Sequence, residues 1–261
     1  MARPGKNTFR EVNRLVGRAM GDYGMLADRD RVLVAVSGGV DSLVLAWLLA
    51  DWRAKAPIDY ELEAVHVDMA STDGAPGPAA LQVAAFCAGL GIPVRLLSAR
   101  WRPPAEIRSK RQDHNRGDDL CFRCARFRRA RLFAHARERG ANKIALGHHR
   151  DDLVETLLLN LTCAGNISTM VPAQSLFSGR LTLIRPLAYL RKDSIEAMAR
   201  ELALVPVRSC CPLAGATMRL EIRRLAEDIY RRIPGSRDHL FAALSNVRLA
   251  YLPRQSGRGC S

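Results

Sequence analysis

The stretch Val32-Leu33-Val34-Ala35-Val36-Ser37-Gly38-Gly39-Val40-Asp41-Ser42 passes from an apolar run through a paired-glycine turn into a helix-like segment that continues to Trp52. That order predicts a strand, a tight turn and a helix N-terminus. Two adjacent glycines let backbone N–H groups approach an anion with no Cβ in the way. The positive end of the following helix adds its dipole at the same place. Ser37 and Ser42 supply hydroxyl donors, and the Asp41 carboxylate is placed to hold a magnesium ion. The stretch therefore reads as a phosphate cradle at the carboxyl end of a buried strand.

Working outward, apolar strand candidates alternate with amphipathic helices. Strands are expected at Arg31 to Val36, Leu62 to Met69, Val94 to Ser98, Lys143 to Gly147 and Leu181 to Pro186. Helices are expected at Asp41 to Trp52, Ala79 to Leu90, Ala125 to Arg139, Asp151 to Cys163 and Lys192 to Leu204. This alternation predicts an α/β fold, an open parallel sheet with helices on both faces. Ligands of such sheets bind beyond the carboxyl ends of the strands. The glycine turn, the segment His66-Val67-Asp68-Met69, the Gly147-His148-His149 turn and the loop after Ile184-Arg185-Pro186-Leu187 then share one edge. The expected organisation is a basic N-terminal helix over 1–28, a nucleotide-binding domain over 29–205, and a C-terminal helical segment with a flexible tail over 206–261. Ser71 to Pro78, and Arg102 to Asp119 with its Pro103-Pro104 pair, read as flexible connections.

No Gly-Lys-Ser/Thr follows the glycines at the spacing of a triphosphate-splitting P-loop. The hexapeptide Ser37 to Ser42 instead resembles the PP-loop of the ATP pyrophosphatase superfamily. Leu146-Gly147-His148-His149-Arg150-Asp151-Asp152, continuing to Glu155-Thr156, resembles the "GHH-DD--ET" element of tRNA-modifying members. The resemblance implies cleavage of ATP between its α and β phosphates and transfer of AMP to a substrate oxygen.

The chain has 261 residues, with 40 Lys and Arg against 26 Asp and Glu, a net charge of +14. No apolar run reaches the ~18 residues of a spanning helix. The N-terminal segment, with Phe9, Val12, Leu15, Val16 and Met20 at helical spacing, lacks an apolar signal core. No membrane association and a cytoplasmic location are expected. The positive field suits a polyanion, and arginine is densest between Arg100 and Arg139. Arg123, Arg126, Arg128, Arg129 and Arg131 are the candidate RNA contacts.

Seven cysteines in such a chain suit thiols or metal ligands better than a disulfide framework. Cys121-Phe122-Arg123-Cys124 is expected to open a basic helix with both sulfurs on one face. The pair suits a redox dithiol, half a zinc site or part of an iron–sulfur site. Cys210-Cys211-Pro212 lies far downstream. Read as a three-cysteine set, these leave one iron of a four-iron cluster without a protein thiolate and open to sulfide. Cys87 and Cys163 fall in apolar helical patterns and read as core residues; Cys260 reads as incidental.

PP-loop, then Cys-x-x-Cys, then Gly-His-His, then a late Cys-Pro: this order resembles the tRNA 2-thiocytidine synthetase family from about Arg31 to Leu249. "IRPLAYLRKDSI" at Ile184 to Ile195 and "CPLAGAT" at Cys211 to Thr217 belong to the same resemblance. It implies an ATP- and Mg²⁺-dependent enzyme with a [4Fe-4S] cluster held by Cys121, Cys124 and Cys211, with Cys210 as the alternative third ligand. The enzyme would adenylate the C2 oxygen of an anticodon-loop cytidine and replace it with sulfur from sulfide or a donor protein. The roles implied are Asp41, His149, Asp151 and Asp152 in catalysis, with Asp41 also on magnesium. Ser37, Gly38, Gly39, Val40, Ser42, His66, Val67, Met69 and Gly147 would bind ATP. The partner is tRNA, and a homodimer is a family expectation. Two departures stand out: Ala214 replaces a cysteine frequent in the late motif, and Val40 replaces a frequent lysine, as in lysidine synthetases. Three alternatives stay open: a cluster-free persulfide relay through Cys124 or Cys211, a nitrogen-inserting PP-loop ligase, and a tRNA-binding module without activity.

Overall fold

The computed structural model describes residues 4–71, 75–99, 114–207 and 217–253. In chain order the elements are α1 (Lys6–Asp22), β1 (Arg31–Ala35), α2 (Val40–Arg53), β2 (Glu61–Asp68), α3 (Pro78–Gly89), β3 (Val94–Ser98), α4 (His114–Arg139) and β4 (Lys143–Ala145). There follow α5 (Arg150–Leu159) with a π turn (Asn160–Ala164), β5 (Ala173–Leu176), β6 (Leu181–Ile184), α6 (Lys192–Glu201), α7 (Met218–Arg232) and α8 (Ser236–Ala243). The six strands lie in the order β3-β2-β1-β4-β6-β5, parallel except for the antiparallel β5–β6 pair. The expected parallel α/β sheet is thus borne out.

Residues Val32, Leu33 and Val34 of β1 are all buried, as the continuous apolar run requires of a strand covered on both faces. Side chains alternate across the pleat. Leu33 joins Val65, Leu97 and Ile144 against Ala136 of α4, whereas Val32 and Val34 join the larger cluster under α1, α2, α3 and α6. Every residue from Leu43 to Leu49 of α2 is buried. Each fully buried leucine there contributes about 1.5–3 kcal/mol, so the helix behind the glycine turn is held by the core and its N-terminus is fixed. Val12, Val16, Ala19 and Met20 form the buried stripe of α1, which therefore belongs to the same core.

Connections through α2 and α3 carry the chain from β1 to β2 to β3, and α4 then returns it to β4 on the other side of β1. The order reverses between β1 and β4. Such a switch point opens the crevice where doubly wound sheets bind ligands.

Several boundaries differ from expectation. Strand β5 was not expected; Ala173-Gln174-Ser175-Leu176 has little β propensity, and it forms by pairing with β6 from Ala173↔Ile184 to Leu176↔Leu181. Helix α4 begins at His114 and not at Ala125, so Cys121 and Cys124 lie within the helix and do not open it. Asn115, Gly117 and two aspartates are weak helix formers that masked this extension. Cys163 is exposed, correcting its reading as a core residue. The π turn widens the helix after Leu159 and Gly165 ends it at φ +63°, which takes residues 161–164 off the buried stripe.

Candidate active site

The glycine turn is closed by its own serines. Ser42 Oγ donates to the Gly39 carbonyl (2.8 Å) and accepts the Ser37 N–H (3.2 Å), and Ser37 Oγ accepts the Gly39 N–H (3.3 Å). Gly38 has φ +89°, and a Cβ there would stand 2.9 Å from Cβ of Val207. Val207 N–H donates to the Gly38 carbonyl at 2.9 Å. No side chain caps α2 after Gly39. Its first-turn N–H groups keep the donor character that a phosphate needs, so the cradle fits a nucleotide's anionic end.

Gly147 sets the second loop directly on the first. A Cβ at Gly147 would lie 3.1 Å from the Asp41 carbonyl carbon and 3.1 Å from the Ser42 nitrogen. A Cβ here would press on backbone, so the glycine eases this approach, which joins the turns after β1 and β4 across the switch point.

Around this junction the carboxylates are all engaged. Asp41 Oδ1 accepts from Lys192 Nζ at 2.6 Å. His149 is 3 % exposed; its N–H donates to Asp152 Oδ2 (3.0 Å), capping α5, and its Nε2 lies 3.4 Å from Asp152 Oδ2 and 3.9 Å from Asp41 Oδ1. Asp151 accepts both arms of Arg237 (2.8 and 3.0 Å) and the N–H of Lys192 (2.8 Å). Burial alone raises the Asp151 carboxyl, but Arg237 and the Lys192 N–H outweigh it and hold it below the usual carboxylate range. Glu155 forms a two-pronged pair with Arg223 (2.7 and 3.0 Å). Helices α7 and α8 are therefore strapped to α5 through Arg223 and Arg237, and Asp151 and Asp152 act as anchors for the crevice wall.

His148 accepts on Nδ1 from Arg185 Nε at 3.2 Å. Burial first, and Arg185 second, push its pKa down to about 4. His66 donates from Nδ1 to the Val36 carbonyl at 2.7 Å, tying β2 to the end of β1. Asp68 holds the following turn by accepting from Ala70 N–H (2.8 Å) and Gly77 N–H (2.7 Å). Val67 and Met69 lie half-buried on the same edge.

Cys121 and Cys124 sit one helical turn apart on α4, both half-buried. Cys210, Cys211 and Ala214 lie outside the described residues, as does Cys260. Arg123, Arg126, Arg128 and Arg129 are exposed on α4, whereas Arg131 turns inward and donates Nε to the Ser98 carbonyl (3.1 Å). Among the described residues no three His, Cys, Asp or Glu side chains gather into a metal site, and no helix is long and apolar enough to cross a membrane.

Lys192 was missed by sequence reading, although a lysine in the first turn of a helix opposes the dipole and signals a nearby anion. Arg223 and Arg237 gave no such signal; their partners are 68 and 86 residues away in sequence.

Residues 7–205 match the PP-loop domain family. The tRNA-cytidine(32) 2-sulfurtransferase of Geobacter sulfurreducens is 37 % identical over 246 residues, covering 94 % of this chain and 92 % of that one. The enzyme of the same name from Pelobacter propionicus is 38 % identical over 254 residues, covering 96 % and 91 %. The chain belongs to the tRNA-cytidine(32) 2-sulfurtransferase family. This bears out the family resemblance carried by Ser37 to Ser42 and Leu146 to Thr156. Among solved structures, the U34-tRNA thiolase NcsA from Methanococcus maripaludis with its [4Fe-4S] cluster superposes with a TM-score of 0.72 over 94 % of this chain and 80 % of NcsA. At 22 % identity that likeness establishes that this chain has the NcsA fold.

Proposed function

We propose that this chain thiolates a cytidine of tRNA in two balanced steps. In the first, the C2 oxygen of the base attacks the α phosphorus of ATP, forming a C2–O–AMP bond and releasing pyrophosphate. In the second, sulfide sulfur adds at C2 and AMP leaves with the original oxygen.

The observation that carries this reading is the contact of Gly147 with Asp41 and Ser42, which brings the Gly-His-His turn onto an uncapped, PP-loop-type helix start. The first-turn N–H groups of α2, with Ser37, hold the pyrophosphate. Asp41 would hold the Mg²⁺ that accompanies it, a single carboxylate being enough where phosphates supply the other ligands. Lys192 supports Asp41 and adds positive charge where the leaving group develops its own negative charge. The backbone of His66, Val67 and Met69 borders the adenine. His149, Asp151 and Asp152 fix the turn that faces the base.

Cys121 and Cys124 fit a cluster in ligand chemistry and spacing, with Cys211, or Cys210 in its place, as the third thiolate. A cluster so bound would supply Lewis-acid iron to activate sulfide. The exposed arginines of α4, Arg123, Arg126, Arg128 and Arg129, hold RNA phosphates beside these cysteines. The sulfur comes from sulfide or a donor protein, and the enzyme works in the cytoplasm.

Anaerobic incubation with ATP, Mg²⁺, sulfide and unmodified tRNA tests the first step. AMP and pyrophosphate, dependent on tRNA, are expected; ADP and phosphate in their place would contradict it.

A further inference from the structure

Arg185 follows β6 on the carboxyl edge of the sheet and has no part in the steps above. It is 4 % exposed. Among the described residues no carboxylate stands within ion-pair distance of it. Nε donates to Nδ1 of His148 (3.2 Å) and Nη1 to the Val171 carbonyl. A guanidinium taken out of water and met only by neutral acceptors leaves its desolvation uncompensated. Burial, and then the charge of Arg129, bring its pKa down to about 10; it remains a cation at neutral pH.

His148 is oriented by the same bond. Because Nδ1 accepts from Arg185, the proton of the neutral imidazole lies on Nε2. That N–H has no acceptor among the described residues, and it is not sealed from solvent. Two donors thus remain at this edge: the guanidinium and the Nε2–H. Strand β6 neighbours β4, which neighbours β1, so Arg185 follows a strand two spacings, roughly 10 Å, from β1, while His148 follows Gly147, which lies on the glycine turn.

We propose that Arg185 and His148 form a second anion subsite, which takes a phosphodiester of the bound RNA beside the target nucleotide while the glycine turn takes the phosphates of ATP. The field of Arg129 links the subsite to the exposed arginine face of α4, which favours RNA over the nucleotide as the source of the phosphate. The inference rests on the RNA-thiolation reading.

Its test compares the wild type with Arg185→Gln and His148→Asn, measuring tRNA affinity across a salt series and ATP affinity without RNA. Arg185→Gln is expected to weaken tRNA about tenfold or more and to reduce the log–log salt slope by about 0.7, the value of one phosphate. His148→Asn should weaken tRNA but keep the wild-type slope, since it removes a neutral donor. ATP affinity should hold in both. Should the Gln variant melt at the assay temperature, Arg185→Lys replaces it, with the slope kept and affinity reduced. Wild-type tRNA affinity and slope in folded Arg185→Gln, or wild-type tRNA affinity in folded Arg185→Lys, would overturn the subsite. So would a loss of ATP affinity with tRNA affinity intact. A wild type that binds no tRNA would overturn the thiolation reading together with this inference.

Discussion

Nζ of Lys192 lies 2.6 Å from Oδ1 of Asp41, joining the first turn of α6 to the first turn of α2. The pair places one cation and one carboxylate at the mouth of the glycine turn. Asp41→Asn keeps the size of the side chain and removes the charge proposed to hold Mg²⁺. Release of AMP and pyrophosphate should fall by about 10²–10³-fold, with the circular dichroism spectrum unchanged. Release at the wild-type rate would remove Asp41 from the chemistry.

The approach of Gly147 to the Asp41–Ser42 backbone sets a steric limit. Alanine there meets backbone atoms at 3.1 Å that cannot rotate away. Gly147→Ala should cost about 1–3 kcal/mol in chemical denaturation and weaken ATP binding, because α2 must shift. Unchanged stability and ATP affinity would show that the two turns do not meet.

Arg237 tests whether the C-terminal helices are anchored through Asp151. The folded carboxyl titrates below its unfolded value near 3.9. Its stabilising contribution is therefore present above that pH and lost as pH falls through the folded value. Arg237→Ala should lower stability by about 1.5–3 kcal/mol at neutral pH. The gap to the wild type should narrow below about pH 4. A gap that stays constant through the acid range would assign the loss to packing.

The exposed arginines of α4 predict a salt effect. Replacing Arg126, Arg128 and Arg129 together by Gln should reduce the log–log salt slope of tRNA binding by about 0.7–0.9 for each RNA phosphate that is no longer neutralised. Arg131 is left out because it is spent on Ser98. An unchanged slope would place the RNA on another face.

Much of this was legible in the sequence because strand β1, its glycine turn and α2 are contiguous, and local chemistry dictates their conformation. The Gly-His-His turn was legible for the same reason. Which histidine does what was not: the backbone of His149 caps α5 and its ring is buried among carboxylates, while His148 bonds Arg185. That division depends on a partner 37 residues away. Strand β5 was hidden because its pairing, and not its composition, makes it a strand. Asp151 read as catalytic in sequence, and only the fold brings Arg237 to it.

The central claim is tested most directly by the nucleoside content of the RNA product. Unmodified tRNA is incubated anaerobically with enzyme, ATP, Mg²⁺ and sulfide, digested to nucleosides and resolved by mass spectrometry. The account predicts 2-thiocytidine in proportion to AMP released with the wild type, and none with Cys121→Ala at retained tRNA affinity. tRNA whose cytidines all remain unthiolated while AMP accumulates, or 2-thiocytidine formed equally well by Cys121→Ala, would contradict it.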